Sequence, residues 1–171
     1  MNQFIRGTFN TMYSGKAEFG GNFPVWVRVK ELYQGGGRID HTKFPAGTVI
    51  GAGTPVVFAG PGNDVKIVAG PAYSNQATYK KGDIVSHEGK IYENKTAITV
   101  KEEWTVGKWT DITTTVNGFV FEDVLIPEGC TLATCAVVRA GRIYADRVIG
   151  AEILPAMEAR LNQVIEFTRE G

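Results

Sequence analysis

The chain has 171 residues, enough for one medium domain or one domain carrying a small insertion. Its 18 basic and 18 acidic side chains cancel, which removes the electrostatic footprint that non-specific DNA or RNA binding needs. Apolar residues make up 43%, too many for a disordered chain, yet no apolar run approaches the about 20 residues of a membrane-spanning helix.

Residues 1–43 are broken by glycines into short pieces. Phe4, Phe9, Met12, Tyr13 and Phe19 load the first part with large apolar groups, so it is expected to pack on a partner or on the rest of the chain; an ordinary first strand with a frayed end is the other reading. The start, Met1 to Arg6, has no basic segment followed by an apolar one, so no secretory leader is expected. Residues 25–30 alternate, which predicts a strand with valines on one face and Trp26, Arg28 and Lys30 on the other.

Residues 44–72 predict three β pieces, with Gly60-Pro61-Gly62-Asn63-Asp64 as a turn and Pro55 at a strand start or on an edge strand. Residues 73–113 predict an inserted three-stranded mini-sheet: Ile84-Val85, a turn at His87-Glu88-Gly89, a return through Lys90-Ile91-Tyr92, and a third strand from Trp109. It holds four aromatics and little aliphatic core, so it must lean on them or on neighbours. Residues 114–150 return to β, with Ala140-Gly141 predicted as the turn of a hairpin. Pro155 suits a first helical position, and Met157, Leu161 and Val164 share one helical face. Ile165 to Phe167 alternates and predicts a closing strand. The whole reads as mainly β with one short C-terminal helix.

Catalytic signals are missing. His41 and His87 read as loop residues, and Glu102-Glu103 and Glu122-Asp123 are adjacent pairs that a strand would send to opposite faces. Neither HExxH, GxSxG nor a phosphate-cradling loop occurs. Cys130 and Cys135 read as free buried thiols. No enzyme, catalytic residue, cofactor or metal is expected, and no nucleic-acid or membrane partner.

Tyr73, Tyr79, Gly82-Asp83, Val85, Gly89, Tyr92 and Trp109 fall in the order and spacing of the chitin-binding modules of families 5 and 12, which this stretch resembles. The resemblance implies sugar binding on flat aromatics, and Tyr73, Tyr92, Trp104 and Trp109 are the candidates. Two departures stand out. Tyr73 replaces the first tryptophan, and Glu93-Asn94-Lys95 stands where the family sets a pair of exposed tryptophans. The other reading makes the aromatics the mini-sheet's own core.

The flanks, 44–72 and 114–171, resemble phage head-decoration and head-fibre proteins through Pro45 to Val56, Gly118 to Ile126, Cys135 to Ile143, and a helix ending in Ile165-Glu166-Phe167. That resemblance implies a small β-barrel or β-tulip carrier on the outer surface of a virion capsid, with the major capsid protein as partner and a homo-oligomer, a trimer being favoured. Phe4, Phe9, Tyr13, Phe19 and Trp26 are then the candidate capsid or intersubunit contacts. The expected function is capsid decoration with a displayed module that touches a cell-surface or mucosal glycan; the alternative is a carbohydrate-binding protein on a β scaffold without a capsid role.

Overall fold

Short β-branched runs between glycine turns can only make short strands, and so they do. The computed structural model describes residues 24–61 and 63–170. Its strands are β1 (Trp26–Leu32), β2 (Gly37–Ile39), β3 (Val49–Ile50), β4 (Pro55–Val57), β5 (Asp64–Ile67), β6 (Ile84–His87), β7 (Lys90–Asn94), β8 (Trp109–Asp111), β9 (Gly118–Val120), β10 (Val124–Leu125), β11 (Ala133–Cys135), β12 (Val137–Tyr144) and β13 (Ile165–Thr168). Among the described residues one α-helix, α1 (Pro155–Leu161), precedes β13. The architecture is mainly β, and no described helix is long and apolar enough to cross a membrane.

The large sheet runs β1-β12-β9-β4-β5-β2-β11 and curls into a half-barrel. β12 is its joint. β1 pairs along one side of it, while β9 takes Val137 and Val138 on the other side and β13 runs parallel to Gly141–Tyr144 beyond. Two apolar clusters fill the concavities. One gathers Phe119, Val138, Ile143 and Ile165 under Met157 and Leu161 of α1. The other joins Ile39, Val56, Phe58, Val65, Ile126 and Val137. Cys130 and Cys135 are free thiols, and burial pushes the Cys135 thiol up to about 11.

Pro155 occupies the first turn of α1, where its missing N–H costs nothing. The helix ends at Leu161, so Val164, expected on its apolar face, is exposed instead. Pro55 opens β4, which lies between β9 and β5 rather than on an edge.

Two expectations about strands are corrected. Ala140-Gly141 is not a turn: β12 runs straight through it. A Cβ on Gly141 would stand 2.5 Å from the Arg28 carbonyl oxygen, so the glycine serves the close approach of β1. The alternation of β1 also fails. Register shifts between Trp26 and Arg28, and between Val29 and Glu31, insert extra residues, which turns Trp26 and Val29 inward together and leaves Val27 exposed.

The mini-sheet β6-β7-β8 has two unlike faces, set by its pairing register. Val85 opposes Tyr92, Tyr92 opposes Asp111, and Asn94 opposes Trp109. Those residues therefore share one face, and Ile84, Ser86, Ile91 and Glu93 share the other. The second face docks on the carrier: Ile91 and Ile112 are buried in the same cluster as Val68, Phe119 and Leu154, with Ile84 packed against it. Backbone bonds seal the seam, from Ser86 N–H to the Pro71 carbonyl and from Tyr73 N–H to the Ser86 carbonyl, each 2.8 Å. A Cβ on Gly70 would come within 2.1 Å of the Ile84 carbonyl oxygen, so a glycine there permits the contact.

Candidate functional site

The outward face of the mini-sheet is built by tight turns. Glu88 and Gly89 both take left-handed backbone, with φ of 47° and 71°, the geometry of a two-residue hairpin turn that matches strand twist. This fixes His87 opposite Lys90 at the end of the ladder rather than in a loop, contrary to the sequence expectation. A second turn is closed by Asp83, whose carboxylate accepts the Lys80 N–H at 2.7 Å. Asn94, only 1% exposed, donates from its side-chain amide to the Lys80 carbonyl at 3.0 Å. Tyr79 and Ile98 exchange both backbone bonds, at 2.9 and 2.7 Å, and so bring the 95–103 segment back over the sheet.

Six rings converge there. Trp104 is the hub. It lies nearly parallel to His87 at 4.0 Å and to Trp109 at 5.0 Å between centroids, and Tyr73 and Tyr92 meet it edge-on at 4.9 Å each. Two rings stacked that close to its centre cannot share one side, so both faces of Trp104 are covered. Tyr79 stacks on Tyr73 at 5.4 Å and meets Trp109 edge-on. Trp109 is buried, 3% exposed, and is the floor of the cluster. Among the described residues its indole N–H has no hydrogen-bond partner, and two tyrosine rings meet its ring edge-on at 5.3 and 5.7 Å between centroids.

Of the four candidate sugar contacts, Tyr73, Tyr92 and Trp104 are therefore half-buried at the surface of the cluster, and Trp109 lies beneath them. Tyr79 and His87 belong to the same cluster and were not among the candidates. The signal for His87 was its even spacing from Val85, which puts both on the face of Tyr92.

Polar groups ring this face. The Tyr73 hydroxyl donates to the Glu102 carbonyl at 2.8 Å, and Asn75 donates from its amide to Glu103 at 2.7 Å. Desolvation, then the nearby Tyr79, Glu102 and Glu103, push the Tyr73 hydroxyl above the usual tyrosine range, which keeps it a neutral donor. A hollow of about 340 Å³ opens between Tyr73, Ser74, Asn75, His87, Glu103 and Trp104. It offers aromatic edges beside amide, hydroxyl and carboxylate groups, a composition suited to a ring-shaped polyol.

The departure at 93–95 has a structural use. Glu93 pairs with Lys66 of β5 at 2.7 Å, and Asn94 is consumed in the turn bonds. The positions that would carry paired tryptophans thus help dock the sheet on the carrier and satisfy its backbone.

Among the remaining candidates, Trp26 is half-buried within the chain: its indole N–H donates to the Phe121 carbonyl at 3.0 Å and its ring meets Phe119 edge-on. Phe4, Phe9, Tyr13 and Phe19 lie outside the described residues. Among the described residues no group of three or more His, Cys, Asp or Glu is placed to hold a metal.

The mini-sheet is thus docked by one face and carries aromatic rings with a polar rim on the other. Residues 72–110 match carbohydrate-binding module family 5/12, a match that spans the whole aromatic face and stops at β8. Neither the curated proteins nor the solved structures yield a match to the chain.

Proposed function

We propose that residues 73–113 bind a glycan and that the β carrier, residues 44–72 and 114–171, presents them to it. The observation that carries this reading is the family match on the segment whose aromatic face turns away from the carrier. With both faces of Trp104 covered, a sugar ring would pack on the rim made by Tyr73, Tyr92, His87 and the Trp104 edge, with Asn75 and Ser74 addressing its hydroxyls. An aromatic contact of this kind contributes about 0.5–1.5 kcal/mol. A few of them give a weak site, near the millimolar dissociation constant that corresponds to about 4 kcal/mol. The test is retention of the full chain on insoluble chitin, cellulose and cell-wall glycan. Retarded elution from at least one, abolished by soluble oligosaccharide, is expected; passage through all of them without delay would overturn the reading.

A second reading gives the carrier a place on a capsid, and one observation favours it. Among the described residues β1 is the end strand of the large sheet, it exposes Val27 and Leu32, and in the sequence it comes after a segment that carries Phe4, Phe9, Tyr13 and Phe19. An end strand with an apolar segment next to it is suited to pairing with a second chain. In this reading the chain decorates the outer surface of a virion as a trimer on the major capsid protein, and the module faces outward. Deletion of residues 1–20 is then expected to abolish co-sedimentation with undecorated capsids, and undiminished occupancy would exclude the arm as the anchor.

A further inference from the structure

The hollow beside Trp104 does not end at the module. At Tyr73 and His87 it meets a larger cleft, of about 460 Å³, that lies between the module and the carrier. Both hollows share those two rings as walls, and both volumes lie in the about 300–1,000 Å³ range of ligand clefts. On the module side the larger cleft is lined by Glu88 and Lys90, and on the carrier side by Gly70, Ala151, Glu152 and Leu154. The cleft exists because the Glu93–Lys66 pair and the burial of Ile91 hold the sheet against the carrier at this angle.

We infer that the carrier completes the glycan site: a sugar chain seated in the hollow beside Trp104 continues past Tyr73 and His87 into the junction cleft, where Ala151 and Glu152 form its far wall. This rests on the module being a glycan binder. The charges of the cleft select the chain. Lys90 is committed to Asp111 at 3.1 Å. Among the described residues Glu88 and Glu152 have no basic partner, so the unpaired charge facing a ligand is negative. Like charges repel, so the occupant is a chain of neutral or amino sugars, and uronic-acid or sialylated chains are disfavoured.

Calorimetric titration of the full chain tests this with a disaccharide and a hexasaccharide of N-acetylglucosamine, the de-N-acetylated hexasaccharide, and a hexauronate. Ala151→Trp, which fills the cleft, is expected to weaken hexasaccharide binding about tenfold and to leave disaccharide binding within about twofold. Glu152→Lys changes only an exposed side chain and keeps the test decisive should Ala151→Trp misfold. It is expected to weaken the de-N-acetylated hexasaccharide about tenfold and to strengthen the hexauronate. Unchanged hexasaccharide affinity in folded Ala151→Trp, or unchanged affinity for the de-N-acetylated hexasaccharide in Glu152→Lys, overturns the extended site while leaving the module a glycan binder. No heat and no competition with any sugar in the unsubstituted chain overturns the glycan reading itself.

Discussion

Trp104→Ala is expected to cost the module about 2–3 kcal/mol of stability and to abolish glycan retention in the same variant. Removal of a buried tryptophan costs about 3–5 kcal/mol, and the lower figure reflects a ring that keeps part of its surface in water. The loss follows from its place among the rings: four others rest on it, two face-to-face and two edge-on. Binding and packing therefore cannot be separated at this residue. Thermal unfolding of the variant, followed by tryptophan fluorescence beside retention on the same polysaccharide, checks the pairing. A variant of unchanged stability that loses only binding would show that the Trp104 ring is free rather than enclosed.

Ile91→Ala is expected to lower the stability of the whole chain, by about 2–5 kcal/mol. Ile91 is 4% exposed and belongs to the cluster that also holds Val68, Phe119, Leu154 and Met157. The cavity it leaves lies under the carrier as much as under the module. For a chain of this size, each kcal/mol lowers the melting temperature by roughly 2–4 °C, so one cooperative transition is expected to move down by roughly 4–20 °C. Calorimetry reads this directly. A separate early transition for the module, with the main one unmoved, would mean that the two parts fold without leaning on each other.

Some of this was legible in the residues. The β6–β7 hairpin follows from alternating Ile84-Val85 and Ile91-Tyr92 around a Glu88-Gly89 turn, and α1 from Pro155 with Met157 and Leu161 one turn apart. The aromatic set was legible through its spacing. The roles within that set were not. Trp104 and Trp109 look alike in sequence, and only the Asn94–Trp109 register puts one at the floor and the other at the surface. The docked face was hidden for a different reason. Ile84, Ile91 and Ile112 read as the thin aliphatic content of the mini-sheet, while the surface they meet is assembled from residues near 68, 119 and 154, on both sides of the segment in the chain. Gly141 misled because a glycine that admits a neighbouring strand and a glycine that makes a turn are the same letter; the Arg28 carbonyl that decides between them is on another strand. The bulges of β1 have no local signature either, since they show only in its register against β12.

The central claim is that a glycan meets the outer aromatic face of residues 73–113. Titration of the isotopically labelled full chain with a hexasaccharide of N-acetylglucosamine, followed residue by residue in amide and indole N–H spectra, tests it most directly. The expected result is saturable shifts of the Trp104 indole and of the amides of Ser74, Asn75, His87 and Glu103, with Val56, Val65 and Ile126 in the far cluster unmoved. Spectra that stay superimposed to millimolar sugar, or shifts confined to the carrier, would contradict it.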